Sequence, residues 1–235
     1  MRSVPVILLA GGFGTRLSSV VPNRPKCLAP VDSRPFLYYL LDQIAALPAS
    51  RLLISVYFLS DQIRKEVGSR YRDIPIDYVE EPSPLGTGGA TRLAMEALSE
   101  ETFLVLNADS YLDIRLADFT ASGPQAGEVN LAAVEMSSCS RFGRVVLDEA
   151  GRISGFMEKS ASEGPGWINA GLYHFHRAAL ANWEPGKSFS LEKELFPMLA
   201  RQGKLKGKRF QTRFIDIGTP ESYQEAQQFF AGHAA

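Results

Sequence analysis

The chain reads Val4-Pro-Val-Ile-Leu-Leu9 and then Ala10-Gly-Gly-Phe-Gly-Thr-Arg16, and about ten residues later it presents Pro25-Lys26. Val4 to Leu9 is a short apolar run with the character of a buried strand. A strand that runs straight into Gly11, Gly12 and Gly14 exposes backbone N–H groups, because glycine takes φ > 0 without a Cβ penalty. Such N–H groups cradle an anion. Arg16 adds a planar cation matched to phosphate oxygens, and Lys26 adds a point charge. Pro25 restrains the backbone that presents Lys26. Glycines plus two fixed cations point to a polyphosphate ligand. Two familiar glycine loops are excluded. A Walker loop requires Gly, four residues and then Gly-Lys-Ser/Thr, which this chain lacks. The dinucleotide fingerprint requires a third glycine three residues after Gly14, where Leu17 stands.

Outward from this loop, strands and helices alternate. Phe36 to Leu47 carries apolar residues at helical spacing, with Pro35 near its start and Pro48 just past its end. Arg51–Leu59 reads as a buried strand, Asp61–Val67 as a short helix and Ile74–Val79 as an alternating strand. Gly89–Leu98 reads as a helix and Phe103–Asn107 as another buried strand. This order implies an α/β fold with a mostly parallel sheet flanked by helices. After residue 128 the pattern changes to strands at Val129–Met136, Arg144–Leu147, Ile153–Met157 and Trp167–Phe175. Helices follow at Leu191–Ala200 and Glu221–Phe230. The expectation is a mixed sheet in a single domain over residues 1–235, with no repeat or long linker. Residues 1–127 form a nucleotide-binding half, and residues 128–235 build a substrate pocket beside it.

A net charge of −1 argues against bulk attraction to nucleic acid or to an anionic membrane. Two cysteines, Cys27 and Cys139, make no disulfide framework, and Val4–Ala10 is too short for a membrane span. A cytoplasmic enzyme acting on small molecules is the default expectation, and homo-oligomerisation stays open.

The Gly-x-Gly-Thr-Arg loop and the Pro25-Lys26-x-Leu28-x-Pro30-Val31 segment together resemble the signature of the sugar-1-phosphate nucleotidyltransferases, which make nucleotide sugars. The resemblance continues from Val6 to about Gln227. It implies a Rossmann-like, mostly parallel mixed sheet, the nucleotide-diphospho-sugar transferase fold. It also implies attack by a sugar 1-phosphate on the α-phosphorus of a nucleoside triphosphate, with release of pyrophosphate. Ala10, Gly11, Gly12, Gly14 and Thr15 would then bind nucleotide, while Arg16 and Lys26 neutralise the triphosphate.

Asp109 lies just beyond the strand at Leu104–Leu106, where open α/β sheets place ligands. Taken alone it is equally a turn or helix-capping residue, or a carboxylate placed to hold Mg²⁺. The resemblance favours the second, because the family binds its metal through the acid of a short Gly-Asp or Ala-Asp turn, here Asn107-Ala108-Asp109. A second carboxylate stands in Arg213-Phe-Ile-Asp216-Ile-Gly-Thr-Pro220, similar to a family segment whose Asp completes the metal site. Thr219 and Pro220 also suit the start of a helix. Glu158-Lys159 is by itself a solvated pair. The family has a Glu-Lys pair there, with the Lys on the sugar phosphate and the Glu on sugar hydroxyls. Asn169 and Gly171, in Asn-x-Gly-x-Tyr173, match the family's other sugar contacts.

Glu81-Pro-Ser-Pro-Leu-Gly86-Thr87 resembles the loop that reads the nucleobase. Guanine offers N1–H and N2–H₂ donors, and the carboxylate of Glu81 offers two acceptors. Thymine and uracil would turn carbonyl oxygens toward it. GTP is therefore the expected donor. Within the family, Ser140-Arg-Phe-Gly143 and Phe189-Ser-Leu-Glu-Lys193 are most similar to guanylyltransferases of D-glycero-α-D-manno-heptose 1-phosphate. Arg144 and Gly88 depart from that pattern. Mannose-1-phosphate guanylyltransferases and N-acetylmuramate-1-phosphate uridylyltransferases are the rivals, and a non-catalytic nucleotide-sugar sensor is the alternative of another class. His174 and His176 share a strand face but have no evident third metal ligand. The basic run Arg201–Arg213 reads as a solvated edge strand guarded by charge.

Overall fold

A computed structural model describes residues 3–142, 144–157 and 164–231. The first half holds β1 (Val4–Leu9), a small β2–β3 hairpin (Pro30–Val31 and Arg34–Pro35), α1 (Leu37–Ala45) and β4 (Ala49–Val56). It continues with α2 (Ser60–Val67), β5 (Arg70–Tyr71), β6 (Ile74–Glu80), α3 (Gly86–Met95) and β7 (Thr102–Asn107). The second half holds β8 (Ser110–Leu112), α4 (Leu116–Thr120), β9 (Val129–Met136), β10 (Arg144–Leu147), β11 (Ile153–Met157) and β12 (Gly166–His176). A π-helical turn (Leu191–Leu195) then runs into α5 (Phe196–Arg201), followed by β13 (Leu205–Phe210), β14 (Phe214–Asp216) and α6 (Pro220–Phe229).

Among the described residues ten strands share one sheet, ordered β11-β10-β12-β7-β1-β4-β6-β5, with β9 beside β12 and β13 beside β9. β1 runs parallel to β4 and β7, and β4 parallel to β6. β12 runs antiparallel to both β7 and β9, which makes the sheet mixed. The apolar runs of β1, β4 and β7 are continuous because both faces of these central strands are covered. Val6, Leu8, Ile54 and Leu104 pack on one side against α1, α2, α4 and α6. Ile7, Leu53, Val105 and Tyr173 pack on the other against α3, the π turn and α5. The expected α/β architecture is therefore present, with the expected change at residue 128.

Several elements differ from the sequence reading; the strand expected over Arg51–Leu59, for one, runs Ala49–Val56, and Leu59 precedes α2 with φ 53°. α3 starts at Gly86, before the expected Gly89, because distant groups satisfy its first N–H groups. The Phe189 carbonyl accepts from Gly88 and Gly89 at 3.0 and 3.3 Å. Leu191–Ala200 is a π turn followed by a short α-helix rather than one α-helix. β13 is an edge strand, but its charges are engaged rather than solvated. Lys206 pairs with Glu128, Lys208 donates to the Phe119 and Ser122 carbonyls, and Arg209 donates to the Asp148 carbonyl.

Candidate active site

The loop after β1 lies where the parallel strands end, and with the starts of α3 and the 107–109 turn it encloses a cleft of about 320 Å³. Ala10, Gly11, Gly12 and Gly14 line it together with Lys26 and Asp109. Ala10 is tied to β4 through its N–H and the Ser55 carbonyl. Beyond it, the N–H groups of Gly11, Gly12, Phe13 and Gly14 have no partner among the described residues. They are free donors at the mouth of the cleft, as an anion cradle requires. Gly14 has φ +62°, and a Cβ there would press on Lys26 Cβ at 3.1 Å. A Cβ on Gly11 would overlap Glu81 Oε1, whereas Gly12 faces open space. Thr15 lies off the cleft lining, and its carbonyl accepts from the Ser18 hydroxyl. Arg16 is exposed beside Gly218, its Nη2 standing 3.8 Å from where a Gly218 Cβ would be.

β8 and β14, neither anticipated from sequence, pair antiparallel with Ser110 opposite Asp216. The Ile217 N–H also donates to the Asp109 carbonyl at 2.9 Å. Two carboxylates more than a hundred residues apart in sequence are thereby set side by side. Each has a cation of its own. Lys26 pairs with Asp109, and Arg141 Nη2 meets Asp216 Oδ1 at 2.8 Å. Burial pushes the Asp109 carboxyl up, but Lys26 and the Ser110 hydroxyl outweigh it, so Asp109 titrates below its ordinary range. Burial wins at Asp216, whose carboxyl titrates high despite Arg141 and the Gly218 N–H. Ser110, which no motif marked, and Arg141, which the Ser140-Arg-Phe-Gly143 motif contained without a role, thus join the candidate site.

Among the described residues no group of three or more His, Cys, Asp or Glu side chains is placed to cage a metal. Asp109 on the cleft lining, with Asp216 on the strand paired beside it, nevertheless suits Mg²⁺, which favours one or two carboxylates plus substrate phosphates and water.

Glu81 follows directly on β6 and is buried under Gly11. Ser55 Oγ donates to its Oε1 at 3.1 Å and the Leu85 N–H to its Oε2 at 3.0 Å. Each oxygen keeps a lone pair for another donor. Burial raises its carboxyl above the usual range, partly offset by those two bonds. Gly86 and Thr87 line the same wall. On the opposite side, β12 breaks register between Asn169 and Tyr173. Gly171, at φ +72°, sits in that break, and a Cβ would stand 2.9 Å from Asn107 Nδ2. Asn107 lines the cleft, and its Oδ1 is buried without a partner. Asn169 Oδ1 accepts from the Gly171 N–H, and its amide donates to the Tyr173 hydroxyl. Gly171 thus adjoins the cleft through Asn107, and Asn169 is tied to Gly171. Glu158 and Lys159 lie outside the described residues.

Residues 5–232 match the family model described as nucleotidyl transferase. The chain is 34% identical to a D-glycero-α-D-manno-heptose 1-phosphate guanylyltransferase of Aneurinibacillus thermoaerophilus, covering 94% of this chain and 96% of that one. It is 32% identical to mannose-1-phosphate guanyltransferase beta-B of Xenopus laevis, but spans only 62% of that relative's length. The crystal structure of HddC from Yersinia pseudotuberculosis complexed with GMP-PN superposes with a TM-score of 0.84 at 30% identity, over 97% of this chain and 99% of that one.

Proposed function

The chain belongs to the nucleotidyl transferase family and is an enzyme of that class; from this premise we propose that it transfers a guanylyl group from GTP to a sugar 1-phosphate. The acceptor we infer is D-glycero-α-D-manno-heptose 1-phosphate. The observation that carries the reading is the cleft itself. Free loop N–H groups and Lys26 stand at one end, and the Glu81 carboxylate stands beneath Gly11. The heptose assignment is supported by relatives of that name that match along 96% of their own length.

Residues 1–127 hold the nucleotide in this reading, and residues 128–235 hold the sugar phosphate. The N–H groups of Gly11, Gly12 and Gly14 bind triphosphate oxygens, and the remaining lone pairs of Glu81 accept from the guanine edge. Asp109 and Asp216 would hold Mg²⁺, which when bound supplies charge neutralisation at the α-phosphate and the attacking oxygen. Lys26 and Arg141, which pair with these carboxylates, would supply further positive charge to the phosphates. Arg16 neutralises the leaving pyrophosphate. Lys159 holds the incoming phosphate, while Glu158, Asn169 and Gly171 orient the sugar. The attacking phosphate is already an anion, so no general base is required. Catalysis is alignment plus electrostatic stabilisation.

Pyrophosphate release in Mg²⁺, with GTP, ATP, UTP and dTTP crossed against heptose, mannose, glucose and N-acetylmuramate 1-phosphates, tests this. The expected result is turnover with GTP and the heptose. Turnover with UTP or dTTP would discard the Glu81 argument, and turnover with mannose 1-phosphate alone would discard the heptose. No turnover with any pair, alongside tight nucleotide-sugar binding, would favour a non-catalytic sensor. Lys26→Ala is expected to lower kcat/KM by about 10²–10³.

A further inference from the structure

We propose that Glu192 is a positioning residue that ties the nucleotide-side wall of the cleft to the sugar-side strand, so that filling one side orders the other. The inference rests on the two-sided reading of the cleft given above and adds a coupling between the sides.

The π turn carries Glu192 between α3 and β12, and its carboxylate gathers three hydroxyl donors. Thr87 Oγ1 donates to Oε2 at 2.7 Å, Ser190 Oγ donates to the same oxygen at 2.9 Å, and the Tyr173 hydroxyl reaches Oε1 at 3.4 Å. Thr87 is fixed from its other side as well, because its hydroxyl accepts from the Leu191 N–H at 3.0 Å. Tyr173 is fully buried, so its hydroxyl must be satisfied within the protein. It accepts from Asn169 Nδ2 at 2.9 Å and passes its own proton toward Glu192. One continuous path therefore runs Thr87–Glu192–Tyr173–Asn169.

The path joins a residue of the cleft wall to a residue of the proposed sugar subsite. Backbone contacts brace it. The Phe189 N–H donates to the Leu85 carbonyl at 3.0 Å, and the Phe189 carbonyl accepts from the start of α3. A carboxylate is the one side chain of this length that accepts from three donors at once, whereas an amide has a single acceptor atom. π turns are rare and widen the backbone locally. Here the wide turn sets Glu192 half-buried between the two sides rather than on the outer face with Lys193 and Glu194. A nucleotide that fixes Thr87 would, through this hub, fix the Tyr173 hydroxyl and the Asn169 amide before the sugar phosphate arrives. Such a link gives positive coupling without a large movement.

Hydrogen exchange with α,β-methylene GTP and Mg²⁺ tests this without turnover. In the wild type the analogue is expected to slow exchange both at residues 11–16 and across residues 168–174. In Glu192→Gln it should slow exchange at 11–16 only, and Tyr173→Phe, which removes the hydroxyl between Glu192 and Asn169, should break the link in the same way. In steady state Glu192→Gln should raise KM for the sugar phosphate about tenfold, with a much smaller effect on KM for GTP. A purely structural residue would shift both KM values and the melting temperature together. Protection of 168–174 that survives in Glu192→Gln would overturn the inference. So would a wild type protected at 11–16 alone, which leaves the guanylyl reading standing. A wild type protected at neither segment would remove both.

Discussion

Gly11 shows how much of the site hangs on single atoms. Its missing Cβ leaves the space in which Glu81 Oε1 sits, and Ser55 and the Leu85 N–H hold that carboxylate in place. Gly11→Ala is expected to displace Glu81, raising KM for GTP about tenfold and destabilising the fold by about 1–3 kcal/mol. Equal KM values for the two proteins would separate Glu81 from base recognition. His174 gives a second prediction, this time on stability. It is buried on β12, both ring nitrogens lack partners, and burial with nearby Lys208 pushes its pKa down to about 4 from 6.5. The folded state therefore binds fewer protons than the unfolded state between these values. Stability is lost as pH falls from about 6.5 toward 4, by about 3 kcal/mol in all. Urea unfolding of His174→Leu should show a greater relative gain at pH 5 than at pH 7.5. A gain independent of pH would refute the assignment.

The α3 segment explains a departure visible in the sequence. The Gly88 position, where the resemblance leads one to expect Ala, lies flat against the Phe189 ring, and a Cβ would overlap it. Phe189 in turn stacks on Trp183 with centroids 3.9 Å apart, so the ring has little room to yield. Gly88→Ala is expected to destabilise by about 1–3 kcal/mol in chemical denaturation, and Phe189→Leu in that background should recover part of the loss. Strictly additive effects would mean that the two positions are not coupled. α6 was easier to read. Thr219 accepts from the Ser222 N–H in a capping box, and Pro220 occupies the first turn. The helix start announced itself locally, whereas the early start of α3 depends on a carbonyl a hundred residues away.

Across the fold, the proposed metal role of Asp109 and Asp216 predicts a link between ligand binding and stability. Asp109 and Asp216 lie on adjoining segments, and each is paired with its own cation, Lys26 and Arg141. GTP with Mg²⁺ near a hundred times its Kd should raise the melting temperature by about 5–10 °C, and chelation should remove most of that shift. An identical shift in chelator would mean that nucleotide binding needs no metal. Among the described residues no helix is long and apolar enough to cross a membrane.

The chain order of polar and apolar residues was enough to specify the alternating α/β core, because central parallel strands are apolar on both faces and leave unbroken runs such as Val6-Ile7-Leu8. The glycine loop, Lys26 and the α6 cap were equally legible, since their chemistry is local. The three-stage link from Thr87 to Asn169, the early α3 start and the pairing of β8 with β14 were not. β8 and β14 are three residues each, too short to carry a periodic pattern, and their hydrogen bonds are made across the fold. A hydrogen bond between residues a hundred positions apart leaves no mark in either neighbourhood. Only packing the sheet brings Ser110 to Asp216 and Thr87 to Glu192.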